Sequence, residues 1–289
     1  VTLSSSLIKS YQLGFAAIFM MSTVPIIIKY ISADPWVIGV GRLILASGSL
    51  LLFGSSFRKL KHLSSRDWGI LALLGLCFGL HWITYFFSIK LGLATVAVIS
   101  TVSFYGIFLS VAGNIFLSHR VRWYHTLALV LGIGGTVLVA GQFDLNSNAL
   151  IGFLFGILSG GFYGLLPIIH QKSTHMDTQL RAWGQFSGAL VLFTCCAPLG
   201  EWNIPAMDWL GILYLGMIGT VAAHTLWVSS TSVLPTTASS LIMYLYIPLS
   251  AILGYFVLGE TLNVVQSAGA LLIIAGSMLG MMGDKWIKT

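Results

Sequence analysis

Charged residues are scarce in this sequence: 14 Lys and Arg and 8 Asp and Glu among 289 residues, or 8%, against 57% apolar residues. With a mean hydropathy of +0.93 the chain lacks the polar surface to cover a soluble globule, and it is read as an integral membrane protein. Cysteine is nearly absent too. Cys77, Cys195 and Cys196 all fall in apolar runs, and no CxxC or Cys/His spacing accompanies them, so neither a disulfide framework nor a metal centre is expected. No glycine-rich phosphate loop is present; Gly39 and Gly41 form only a two-glycine fragment, which argues against an ATP-driven pump. All eight acidic residues sit at or near run ends, so no carboxylate stands ready to carry a proton across mid-membrane. No cofactor is expected.

What the chain has in abundance is long apolar runs, at about 12 to 30, 36 to 54, 68 to 89, 94 to 117, 123 to 141, 150 to 170, 179 to 198, 208 to 230, 236 to 258 and 264 to 283. A bilayer core of about 30 Å needs roughly twenty helical residues, and backbone groups in lipid must be paired internally. Runs of this length, without ten-residue alternation, predict an all-α membrane protein of ten transmembrane helices rather than a barrel. The connections are short and hide no soluble domain. The first run lacks a small-residue cleavage pattern after it and is read as a retained span, not a signal peptide.

The net charge of +6 acquires meaning from its location. With both termini placed inside, internal segments carry eleven basic residues (Lys9, Arg58, Lys59, Lys61, Arg66, Arg120, Arg122, Lys172, Arg181, Lys285 and Lys288), and external segments carry only Lys29 and Lys90. Both termini are therefore expected in the cytoplasm. The positive charge is topological, and nucleic acid is not an expected partner.

The sequence also contains itself twice. At a constant offset of 141, Asp67 and Trp68 recur as Asp208 and Trp209, Leu74 and Gly75 as Leu215 and Gly216, Tyr105 as Tyr246, Gly113 as Gly254, and Gly135 as Gly276. Over the first two helices the match loosens to 142 for Pro25 and Pro167, and to 143 for Gly41 and Gly184. Residues 1–148 and 149–289 are thus expected to be two repeats of five helices, and an odd number of helices makes the second repeat inverted. Inverted repeats around a central site are a device of secondary transporters.

The two five-helix halves, the sequence Leu258, Gly259, Glu260 closing the ninth run, Pro248 within it, Ala275 with Gly276 in the tenth, and Arg42 followed by Ala46 in the second resemble the EamA family of the drug/metabolite transporter superfamily. The resemblance covers essentially the whole chain. It implies a bacterial inner-membrane exporter or exchanger of amino acids and other small metabolites, working by alternating access, with a cavity lined by spans 1, 3, 4, 6, 8 and 9. The first half departs from the pattern, with Ile107 at the position of Pro248 and His119 at that of Glu260.

Within this frame the candidate substrate-binding residues are His81, Tyr85, Tyr105, Tyr163, His224, Trp227, Ser239, Met243 and Tyr246. Ser239, Met243, Tyr246 and Ser250 share one helical face. His81 and His224 are the histidines well inside runs; each either serves the site or is a neutral imidazole bonded between helices. The tyrosines and tryptophans offer stacking surfaces to an amphiphilic metabolite, or form interfacial belts. Arg42, about 9 Å into its run, either binds a substrate carboxylate or phosphate with its planar fork or snorkels to the interface. Pro25, Pro167 and Pro248 remove backbone donors and mark either gates or static kinks. Glycines at small-xxx-small spacing, among them Gly75, Gly79, Gly160 and Gly164, predict close helix contacts. Two other functions compete with metabolite transport. One is a flippase for lipid or lipid-linked precursors; the other is an intramembrane enzyme using Ser159 or Ser239 with a histidine, which lacks a G-x-S-x-G context and a third orienting group.

Overall fold

The computed structural model describes residues 5–54, 60–117, 123–140, 147–234 and 236–286. Arg58, Lys59, Arg120, Arg122, His119 and Lys288, used above for orientation and repeat comparison, lie outside these residues. The fold is helical. In chain order come α1 (Ser5–Ser22), α2 (Val24–Tyr30), α3 (Pro35–Leu52), α4 (Ser65–Leu91), α5 (Ala94–Leu117), α6 (Trp123–Ala140), α7 (Asn148–Lys172) and α8 (Thr178–Cys196). Then follow α9 (Ala206–Gly216), α10 (Ala223–Thr231), α11 (Thr236–Tyr244), α12 (Tyr246–Leu253) and α13 (Val264–Trp286). Among the described residues, six helices are long and apolar enough to cross a membrane, and four shorter apolar stretches accompany them.

Helix starts are written in short polar residues. Asp34 caps α3 by accepting from the amides of Trp36 and Val37, with Pro35 at the first helical position. Ser64 and Asp67 form a reciprocal capping box at α4. Ser147 and Asp177 do the same service for α7 and α8. Lysines work at the other ends: Lys29 Nζ donates to the Gly92 and Ile89 carbonyls at the end of α4, and Lys90 Nζ to the Ile31 carbonyl after α2.

Two of the three prolines singled out in the sequence interrupt their spans. Pro25 deprives the Met21 carbonyl of its donor, and the first span breaks at Thr23 between α1 and α2. Hydroxyls bond carbonyls around the break: Ser22 Oγ donates to Phe19 O at 2.7 Å, Thr23 Oγ1 to Met20 O at 2.8 Å, and Ser250 Oγ from α12 to Ser22 O at 3.2 Å. Pro248 likewise deprives the Tyr244 carbonyl, and the helix breaks at Leu245 between α11 and α12. Pro167 behaves otherwise, since α7 runs unbroken through it.

Helices pack across the halves through small residues. A Cβ added to Gly188 would stand 2.7 Å from the Gly75 Cα, so α4 and α8 meet backbone to backbone. Gly160 and Gly164 of α7 meet the backbone of α5 in the same way, and Gly276 of α13 meets that of α6.

Candidate functional site

Four polar atoms without a hydrogen-bond partner converge on one cavity: Arg42 Nη1 from α3, Thr101 Oγ1 and Tyr105 Oη from α5, and His224 Nδ1 from α10. Buried polar groups in proteins are nearly always paired, so a set of unpaired ones around a single space marks groups kept for something else. The cavity also touches Met21 and Val24 beside the break in the first span, and Met243 and Tyr246 either side of the break at Leu245. Its free volume is about 30 Å³, room for little more than a water molecule. A metabolite enters only if the lining helices move apart.

Arg42 does not snorkel. It is 1% exposed, its Nε donates to Thr220 Oγ1 at 3.1 Å, and its guanidinium lies 4.0 Å from the centre of the Trp82 ring and 5.5 Å from that of Phe86. The partner is supplied by a π-helical segment, Met217–Ala222, joining α9 to α10. There the Thr220 hydroxyl donates to the Leu215 carbonyl, five residues back, at 2.7 Å, leaving its oxygen to accept from Arg42. Such π segments often mark functional sites, and here the extra residue turns a threonine towards the arginine.

His81 is bonded between helices and also faces the cavity. Its Nδ1 lies 2.7 Å from Ser159 Oγ and 3.2 Å from the Ser159 carbonyl. A carbonyl only accepts, and the Ser159 hydroxyl donates to the His81 carbonyl at 3.1 Å, so Nδ1 carries the ring proton and Nε2 the lone pair. Thus fixed to α7, the ring stacks on Tyr163 at 4.3 Å and on Tyr85 at 5.7 Å. The Tyr85 hydroxyl in turn lies 2.8 Å from that of Tyr246, tying α4 to α12 across the cavity. His224 is surrounded by rings, with Phe78 at 4.9 Å and Trp82 at 6.0 Å.

Of the residues picked from sequence, Arg42, His81, Tyr85, Tyr105, Tyr163, His224, Met243 and Tyr246 line the cavity. Trp227 and Ser239 are buried but do not. The cavity occupies about one helical turn of each wall, as residues 81 to 85 and 101 to 105 show, and Trp227 and Ser239 lie a turn beyond it. The prolines stay behind the lining, which their neighbours Val24 and Tyr246 supply. Met21, Val24, Trp82, Thr101 and Val102 complete the lining; for Met21 and Val24 the signal in the sequence is proximity to Pro25. Among the described residues no cluster of metal-binding side chains occurs.

An uncharacterized transporter, YoaV of Bacillus subtilis, is 25% identical over 179 residues, covering 59% of this chain and 61% of that protein. The uncharacterized transporter YwfM of the same organism is 28% identical over 272 residues, 89% of this chain and 88% of that one. An S-adenosylmethionine uptake transporter of Rickettsia bellii is 26% identical over 220 residues, 75% and 72% of the two chains. The fold matches a solved crystal structure with a TM-score of 0.73 at 17% identity, over 97% of this chain and 99% of the other. The model of the EamA-like transporter family matches twice, over residues 8–141 and again over 150–282, so this multi-pass membrane chain belongs to that family of transporters.

Proposed function

We propose that the chain is a secondary transporter of amino acids or closely related metabolites, working as an exporter or exchanger by alternating access in a bacterial inner membrane. The observation that carries this is the Arg42 guanidinium, its Nη1 without a partner and no acidic side chain beside it among the described residues, at a narrow cavity of aromatic and hydroxyl side chains between two proline-broken spans. A substrate carboxylate pairs with the Arg42 fork, and an ammonium group finds the faces of Tyr85 and Tyr163 and the lone pair of His81 Nε2. Transport by ten spans in two inverted repeats fits the packing. Exchanging the halves carries the contact of α4 with α8 onto that of α9 with α3, and the contact of α4 with α7 onto that of α10 with α1. It also carries α5 with α7 onto α12 with α1, and returns α6 with α13 to itself.

Purified protein in proteoliposomes should show counterflow of amphiphilic amino acids, tested beside nucleosides, organic cations and S-adenosylmethionine. A panel in which nothing carrying a carboxylate moves would overturn the reading. Tyr85→Phe and Tyr246→Phe should each lower the stability of the protein by about 1 kcal/mol, and the double variant by little more than either, because both remove one shared hydrogen bond. Full additivity would place the two hydroxyls in separate roles. For orientation, a cysteine at Ser64 should resist membrane-impermeant reagents applied outside intact cells, while one at Gln142 reacts; rapid outside labelling of Ser64 would invert the topology.

A further inference from the structure

Arg42 presents a problem to the carrier whenever the cavity is shut. The guanidinium keeps its charge at any physiological pH. It gives one hydrogen bond, to Thr220, and leaves Nη1 unpartnered. The titratable groups lining its cavity are His81, Tyr85, Tyr105, Tyr163, His224 and Tyr246, and none of these is a carboxylate. No acidic side chain pairs with it among the described residues. Trp82 and Phe86 against its face compensate part of the lost hydration, and together with Thr220 they hold the group in place, so it cannot reach water at the interface. Nor can water follow it in quantity, since the closed cavity has about 30 Å³ free.

We infer that this transporter is an obligate exchanger of carboxylates: it crosses the closed state readily when a substrate carboxylate is paired with Arg42, and slowly when empty. The inference rests on the carboxylate reading above. A carboxylate seated on the guanidinium fork gives two parallel charge-assisted hydrogen bonds and cancels the lone charge inside the closed cavity. Without it, closure must take an unpaired ion out of water, and breaking such a buried pair slows the crossing by roughly a hundredfold or more. Each outward trip of one substrate is thereby coupled to the inward trip of another without any coupling ion.

The test uses the full chain in proteoliposomes loaded with radiolabelled L-phenylalanine, with L-leucine as a second probe and the membrane potential clamped. Efflux into buffer containing the unlabelled amino acid should be at least about tenfold faster than efflux into buffer without it. Arg42→Gln removes the charge; measured at saturating substrate, it should bring the ratio of exchange to net efflux close to one, even though its affinity falls. Arg42→Lys keeps a charge and should keep the ratio high. Equal exchange and net efflux in the unaltered protein would overturn the inference while leaving the transporter reading intact. Fast net efflux appearing only with chloride opposite would also overturn it, because a free anion would then serve as the return partner. Absence of both counterflow and calorimetric binding for these two and for every other carboxylate-bearing compound of the panel would overturn the carboxylate reading, and this inference with it.

Discussion

Gly75→Leu is expected to lower the stability of the purified protein by about 3 kcal/mol and to abolish transport. Gly75 sits where α4 and α8 touch through their backbones: a Cβ there would be 2.8 Å from the Gly188 carbonyl carbon and 3.1 Å from the Ala189 amide nitrogen. Neither atom belongs to a side chain that can turn away, so the helices must separate. Lipid supplies no hydrophobic force to bring them together again, since its tails are as apolar as leucine; close packing is what holds such helices. Separation also moves the binding wall, because α4 carries His81, Trp82 and Tyr85 a turn or more further along. Gly69→Leu, on the same helix with open space around its Cβ, is the control and should be neutral or slightly stabilising. Thermal unfolding followed by size-exclusion chromatography decides it; equal stability of the two variants would show that the α4 and α8 contact is loose in the membrane.

That contact was legible in the sequence as small-residue spacing, and the helices as apolar runs, because both signals are local. The repeat was legible through a nearly constant offset, 141 over most of its length and 142 to 143 over the first two helices. What stayed hidden was which face of each helix looks inward. In a soluble protein polarity marks the outer face, but in a membrane both faces are apolar, so Val24 and Val102 in the cavity wall look like lipid-facing valines. Trp227 and Ser239 share faces with lining residues but stand outside the lining, because a helical face is continuous whereas the cavity is one turn deep. Arg42 could not be placed from its depth alone. What buries it is the π segment bearing Thr220 and the ring of Trp82, contributions separated from it by 178 and 40 positions in the chain. At the offset of 143 the position of Arg42 is occupied by Gln185, a neutral amide bonded to His170. The charge at the centre is a property of one half only.

Glu260→Ala is expected to cost about 3 kcal/mol, a large effect for a residue at the edge of the fold. The left-handed turn at Gly259, with φ 67°, ends the π segment Gly254–Leu258 and swings the following side chain back across the bundle. Glu260 then receives the Ala94 amide on one carboxylate oxygen at 2.7 Å and the Thr95 amide on the other at 2.9 Å. These are two of the orphan donors at the start of α5, where the helix also presents its positive end. Removing the carboxylate leaves both amides unpaired and separates α5 from the end of the α12 span, two walls of the cavity that belong to different repeats. Glu260→Gln keeps one acceptor oxygen and should lose about half as much. Gly259→Ala keeps the carboxylate but opposes the turn that delivers it, at about 1 kcal/mol. A Glu260→Ala protein as stable as its parent would mean that water caps α5 equally well, and that the Leu258, Gly259, Glu260 sequence holds the halves together by its turn alone.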